Sequence, residues 1–177
     1  MSDTSTSDGS ATDAAAAGVV VRPARESDVP LIGALIRELA EYERAPERAV
    51  ATDDDLRVAL FGARPAAEVL LVSVDGEAVG FALWFHNFST WTGRRGLYLE
   101  DLFVRPTARR RGAGRVLLGA LGRIAVERGC ARMDWAVLDW NEPAIAFYKT
   151  LGAEPLDEWT IFRLSGASLA ALGAGPA

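Results

Sequence analysis

The chain has 177 residues, half of them hydrophobic, 24% charged and 8% aromatic, which is enough for one good core and short for two. Its formal charge of −5 argues against a general nucleic-acid binder, which would be basic. One cysteine, Cys130, and one histidine, His86, exclude an intramolecular disulfide, a multi-cysteine metal site and a zinc site built on several histidines.

Residues 1–18 are Ser, Thr, Asp, Ala and Gly with almost nothing to bury. They read as a disordered tail, and the lack of Lys, Arg or a sustained apolar stretch there does not fit a secretory leader. No apolar run approaches the ~20 residues of a membrane span. A cytoplasmic protein is the default expectation. Residues 173–177 read as a frayed end, which leaves a single domain over 19–172.

Val19–Arg22 reads as a short strand ending at Pro23. Ser27-Asp28 offers an N-cap, with Pro30 in the first turn. Ile32, Leu35, Ile36 and Leu39 then recur at helical spacing, so 29–43 is predicted to be an amphipathic helix. Thr52 starts a second helix, three aspartates suit its positive end, and Gly62 stops it. Val69–Val74 and Ala78–Phe85 are strands joined by Asp75-Gly76, a strong hairpin signal. Gly93–Gly96 reads as loop, and Leu97–Val104 is a third strand of an antiparallel meander. A helix follows over 114–128, with Leu117, Leu118, Leu121, Ile124 and Ala125 on its buried face and Gly129 as its stop. Met133–Leu138 is a strand. Asn141 caps a helix over 142–151 that ends before Gly152. Trp159–Leu164 is a last strand, with a short helix around 167–172. The order predicts a mixed α/β sheet with helices on its faces, not a repeating βαβ pattern.

The sharpest local feature is Arg105-Pro-Thr-Ala-Arg-Arg-Arg-Gly-Ala-Gly-Arg115. Five of these eleven residues are Arg, and no acid occurs from Leu102 to Val126 in an acidic chain. The loop runs into a helix start, where free backbone N–H groups and the helix dipole favour an anion. Gly112 and Gly114 let the backbone lie close to a ligand, and Arg adds bidentate phosphate contacts. The chemistry fits a pyrophosphate with a further phosphate nearby. The other reading is a solvated basic loop. Neither G-x-x-x-x-G-K-[ST] nor G-x-G-x-x-G is present.

A strand over 97–104, then Arg109-x-x-Gly112-x-Gly114, then a helix, resembles the acetyl-CoA motif of the GNAT superfamily of N-acetyltransferases. Leu97-Tyr-Leu-Glu-Asp-Leu-Phe-Val104, Trp140-Asn-Glu-Pro-Ala-Ile-Ala-Phe-Tyr-Lys149 and Glu38-Leu-Ala-Glu-Tyr-Glu43 narrow the resemblance to the spermidine/spermine (diamine) and thialysine N-acetyltransferases. It runs from about Val21 to Leu164. It implies a GNAT fold with a central, mostly antiparallel sheet and helices on both faces. It implies acetyl-CoA as co-substrate with no metal, and a homodimer. By the same resemblance, backbone groups of Leu102, Phe103 and Val104 pair with the pantetheine arm. Arg109, Arg110, Arg111, Gly112, Ala113, Gly114 and Arg115 hold the pyrophosphate, and Asn141, Glu142, Pro143 and Ala144 contact the coenzyme arm. Tyr148 is the general acid, and Tyr42, Glu43, Glu100 and Asp101 face the amine. The stretch before Trp159 is shorter than in the polyamine enzymes, Arg44 replaces an aromatic residue, and the segment from Asn87 to Gly96 differs from theirs. These departures bear on the polyamine more than on acetyl transfer.

The reaction needs a neutral amine, although an alkylammonium has a pKa of about 10.4. A tyrosine phenol within ~3.2 Å of the leaving sulfur can return its proton. Tyr148 lies seven residues after Asn141, about two helical turns on. Glu100 and Asp101 are neighbours on a strand, so their side chains are expected on opposite faces. The resemblance selects Glu100 to bind the ammonium and help deprotonate it through water, with Asp101 as companion. Trp84, Trp91, Trp135 and Trp140 either line an apolar channel or serve the core. His86 reads as structural and Cys130 as inert. The expected activity is direct acetyl transfer, in a ternary complex, to a primary amine of a small cation. A protein or peptide acceptor, or a non-catalytic acyl-CoA-binding module, are the alternatives. A basic-loop nucleic-acid binder fits the acidity poorly.

Overall fold

The apolar runs on either side of Asp75-Gly76 pair as expected. In the structure, a computed structural model that describes residues 18–175, β2 (Glu68–Val74) and β3 (Glu77–Ser89) are antiparallel neighbours. Asp75 and Gly76 have φ of 52° and 85°, the two left-handed residues that a tight hairpin turn requires. Strand β4 (Arg94–Val104) adds antiparallel to β3, and β1 (Val19–Pro23) antiparallel to β2. Strand β5 (Met133–Trp135) runs parallel to Leu97–Leu99 of β4, giving the order β1-β2-β3-β4-β5. The chain divides into two compact units, one ending at Ala136 and the other starting at Val137. The whole sheet lies in the first.

Helices α1 (Val29–Tyr42) and α2 (Asp53–Phe61) bury Val29, Ile32, Leu35, Leu39, Leu56 and Leu60 against Val69, Leu71, Phe81 and Phe103. Side chains alternate along a strand, so the equally buried Leu70, Val72 and Ala82 face the other way. Helix α3 (Ala113–Glu127) packs on β1, β2 and β4 with Leu117 and Leu121 fully buried. One face therefore belongs to α1 and α2 and the other to α3. Gly129, at φ 67°, follows the end of α3 as the sequence predicts.

Helix starts differ in how they are capped. At α2, Thr52 accepts from the Asp55 backbone N–H and Asp55 accepts from Thr52, a reciprocal box. Asp28 precedes α1, but its side chain does not cap that helix. It serves the 3₁₀ turn over Glu26–Asp28, accepting from the Arg25 N–H at 2.7 Å and holding Arg22 through bonds of 2.7 and 2.8 Å. The Arg22 hydrogen bond holds the Asp28 carboxyl down at about 2. A depressed carboxyl contributes stability above its unfolded pKa and loses it as pH falls through the folded one. Asp28→Asn should cost about 1–2 kcal/mol at neutral pH, discounted because Arg22 is half-exposed. Acid titration monitored by circular dichroism should show the difference from wild type vanishing between about pH 4 and pH 2.

Four boundaries depart from expectation. The segment read as a loop around Gly93–Gly96 is largely hairpin. Pairing continues through Asn87↔Gly96 to Ser89↔Arg94, and the turn closes on Gly93 N–H to Ser89 C=O at 2.9 Å. Polar side chains do not prevent a ladder whose outer face meets water. Strand β5 stops at Trp135, short of Leu138. In the second unit, α4 (Glu142–Lys149) and α5 (Gly166–Gly173) form, but Trp159–Leu164 is not a strand. That segment has strand-like composition, but among the described residues it pairs with no ladder partner, and Trp159, Ile161 and Phe162 are exposed. Gly173, read as frayed, closes α5. Of the tail expected over 1–18, only Gly18 is described, and its carbonyl accepts from the Asp75 N–H at 2.9 Å; residues 1–17, Pro176 and Ala177 lie outside the described residues.

Candidate active site

Strand β4 brings two kinds of chemistry onto one element. Leu83 opposes Asp101 and Trp84 opposes Leu99, so Glu100 is an extra residue without a partner on β3. This bulge breaks the simple alternation that would put Glu100 and Asp101 on opposite faces. Glu100 is exposed and Asp101 half-buried. Asp101 lies two residues before Phe103, on the side of α1. Its carboxyl is pushed up to about 6 by burial first, then by the charges of Glu100 and Glu43. Glu43 closes the C-terminal end of α1, and partial burial pushes its own carboxyl up. Glu43 and Glu100 are therefore each close enough to Asp101 to disfavour its charge.

Past the bulge, β4 loses β5 as a neighbour. From Glu100 to Val104 one edge of β4 carries no ladder partner among the described residues. Leu102, Phe103 and Val104, the residues expected to meet the pantetheine arm, lie along that edge. The Phe103 ring is buried in the core 6.5 Å from the Tyr42 ring. Arg109 stacks its guanidinium 4.3 Å from the Tyr42 ring centroid and donates from Nε to the Val104 carbonyl at 3.1 Å. Tyr42, assigned to the amine, and Arg109, assigned to the coenzyme, thus touch.

The arginines of the loop divide their work. Arg105 is structural: it donates from Nε and Nη2 to Glu38 at 2.8 and 2.7 Å and from Nη1 to the Ala78 carbonyl at 3.0 Å. This ties the loop to α1, and it gives Glu38 of the helix motif a structural role. Arg111 donates to Asp75 of the β2–β3 turn at 2.5 Å. Arg110 is exposed and left-handed, with φ 64°. Gly112, at φ 86°, is the residue before α3, and no side chain caps the helix there. The first bond of the helix to its N-cap is Val116 N–H to the Gly112 carbonyl, and amides in the first turn of a helix point outward from its start. A cation-rich turn that runs into a helix start is a setting that favours an anion.

In the second unit, Asn141 precedes α4. Its backbone carbonyl, not its side chain, closes the first turn, accepting from Ala144 and Ile145 at 3.0 Å. Glu142 and Pro143 are exposed in that turn, and Ala144 is half-buried. Tyr148 is half-buried near the end of α4, with its ring 5.7 Å from Phe147. Burial pushes the phenol up, which keeps it protonated at neutral pH.

Other aromatic candidates separate by burial. Trp84 is core, with Arg128 stacked over its ring at 4.8 Å, whereas Trp91 is 89% exposed. His86 meets Trp84 edge-on at 5.3 Å, and burial with Arg95 and Arg128 lowers its pKa. It stays neutral and structural. Sequence reasoning misses the Arg105–Glu38 pair, the Arg109–Tyr42 stack and the Glu43–Asp101 approach. All three are long-range, and no local pattern signals them.

The chain belongs to the acetyltransferase (GNAT) family, whose sequence model matches residues 34–153. It is an acyltransferase of amines. The thialysine N-epsilon-acetyltransferase of Sus scrofa is 38% identical over 164 residues, covering 86% of this chain and 96% of that one. The L-ornithine N5-acetyltransferase of Arabidopsis thaliana is 32% identical over 86% of each chain. Among solved structures, an integron cassette protein from V. cholerae superimposes with a TM-score of 0.74 at 29% identity, covering 88% of this chain and 98% of its own.

Proposed function

We propose that this chain transfers the acetyl group of acetyl-CoA to a primary amine of a small cationic substrate, a thialysine-like amino acid or a polyamine. Transfer is direct, in a ternary complex without an acetyl-enzyme, and needs no metal. Residues 19–172 act as one catalytic domain in a cytoplasmic homodimer. The observation that carries this reading is the course of β4: its bulge presents carboxylates, its far edge is open, and its end runs into the cation-rich turn at the start of α3. The names of the relatives support the amine class.

In this reading acetyl-CoA, once bound, supplies the thioester. The open edge at Leu102, Phe103 and Val104 offers amide and carbonyl groups to an extended arm, as a strand partner would. Arg109 to Arg115 offer charge and first-turn amides to the pyrophosphate, and Asn141 to Ala144 contact the arm at the start of α4. Glu43 and Glu100 hold the ammonium beside Tyr42 and Asp101. Tyr148 donates its proton to the leaving sulfur. The test is thiol release from acetyl-CoA against thialysine, ornithine, spermidine, lysine and a peptide panel. Turnover is expected with the small diamines. Coenzyme binding without release on any amine would make the chain a non-catalytic binding module, and preference for peptides would make it a protein acetyltransferase.

Replacing Arg110 and Arg111 together by Ala should weaken acetyl-CoA binding by roughly 10- to 100-fold, since hydrogen bonds to charged groups contribute about 1.5–3 kcal/mol. Arg111 alone should account for less than half of that, because its pair with Asp75 must be given up on binding. Calorimetric affinities equal to wild type would remove the loop from the phosphate site.

A further inference from the structure

The stretch from Leu102 to Val126 holds no acid, so its arginines draw carboxylates from elsewhere in the chain. Arg105 takes Glu38 of α1, and Arg111 takes Asp75 of the β2–β3 turn, Nη2 to Oδ2 at 2.5 Å. The two pairs differ in kind. Arg105 is partly buried, donates from three nitrogens and reaches β3 as well as α1. Arg111 and Asp75 are both about half-exposed. Asp75 itself is fixed from behind. Its backbone is left-handed at φ 52°, and its N–H donates to the Gly18 carbonyl at 2.9 Å. A side-chain carbon built on Gly18 would lie 2.2 Å from Asp75 Oδ1. The carboxylate is therefore packed over Gly18, and its other oxygen meets the loop.

The loop has other anchors. Arg105 bonds to the Ala78 carbonyl, Arg109 to the Val104 carbonyl at 3.1 Å, and Gly112 leads into α3. What the Asp75 pair adds is occupancy: it holds a cation that a phosphate would use. We propose that Asp75 is a resident counter-anion of the loop, one that holds Arg111 while the coenzyme is absent, yields it to a phosphate on binding and takes it back on release. Asp75 thereby sets how tightly the coenzyme is held and how fast it leaves, a role that rests on the reading of this loop as the phosphate site. The guanidinium stays charged throughout. It exchanges a carboxylate oxygen for phosphate oxygens that suit its planar fork, and the carboxylate passes to water. A half-exposed pair is weak enough to exchange in this way. The coenzyme keeps its phosphates when it loses its acetyl group, so the contact acts alike on substrate and product.

The experiment is calorimetry and stopped-flow displacement at low ionic strength, with acetyl-CoA and with CoA. Wild type, Asp75→Asn, Arg111→Ala and the double variant are compared. Asn followed by Gly suits a left-handed hairpin turn, so Asp75→Asn should melt within about 3 °C of wild type. It should bind both ligands more tightly by roughly two- to fivefold, with the change in the dissociation rate. In the Arg111→Ala background the same substitution should gain less than about 1.5-fold, because no pair is left to give up. Weaker binding by Asp75→Asn would overturn the proposal and make Asp75 a contact that orders the loop. Equal affinity would overturn it too. A gain just as large without Arg111, or one confined to the association rate, would trace the effect to the general field of the carboxylate and overturn the exchange. A wild-type chain that binds no acetyl-CoA would instead sink the reading of the loop as a phosphate site, a result distinct from these.

Discussion

Tyr148→Phe is expected to lower kcat by roughly 10²- to 10³-fold while the affinity for acetyl-CoA stays within about twofold. The substitution removes one oxygen and keeps the ring that lies against Phe147 in α4, so helix packing should survive. Reference values place the phenol near 10 and a thiol near 8.5, so protonating a leaving thiolate is mildly uphill in water. Burial pushes the Tyr148 phenol higher still. The same exclusion of water raises the proton affinity of a thiolate beside it, so the gap need not widen. A phenol that stays protonated through neutral pH is a donor in every turnover. Rates are to be measured at saturating acetyl-CoA, with affinity by calorimetry. Unchanged kcat would exclude Tyr148 from proton delivery, and a loss confined to affinity would make it a binding residue.

What the sequence discloses here follows from how local the cause is. Thr52 and Asp55 sit three residues apart, so the box that starts α2 is legible. Asp75-Gly76 needs only its own dihedrals to turn the chain. The cation-rich loop is likewise a local run, and it does precede a helix start at Gly112. The bulge at Glu100 is different. It exists only relative to β3, where Leu83 and Trp84 pair with Asp101 and Leu99, and no periodicity in β4 alone announces it. Glu38 is bound by Arg105, and Glu43 acts on Asp101, each pair more than fifty positions apart. Trp159–Leu164 shows the converse: side chains suited to a strand do not make one where no ladder partner is present. Resemblance supplied the residues of the amine end, and geometry distinguishes their environments.

Gly80→Val should be the most damaging single substitution within the sheet. Gly80 pairs with Val104, and a side-chain carbon built on it would lie 2.3 Å from the Phe103 carbonyl oxygen and 3.0 Å from Val104 Cα. Both contacts are to backbone, so no rotamer change relieves them; β3 and β4 must part. Overpacking of this kind costs about 2–3 kcal/mol, or a fall in Tm of roughly 5–10 °C for a chain of this size. The strain falls where β4 has its open edge and where Arg109 is anchored on the Val104 carbonyl. Acetyl-CoA affinity should therefore drop by roughly tenfold at a temperature where the variant remains folded, about 1.4 kcal/mol. Gly122→Ala provides the contrast. It lies inside α3 with nothing within 4 Å of the added carbon, so it should stabilise by about 0.5–1 kcal/mol and leave affinity unchanged. If Gly80→Val melted with wild type and bound acetyl-CoA as tightly, the close approach of β3 to the end of β4 could not be what shapes the open edge proposed for the coenzyme.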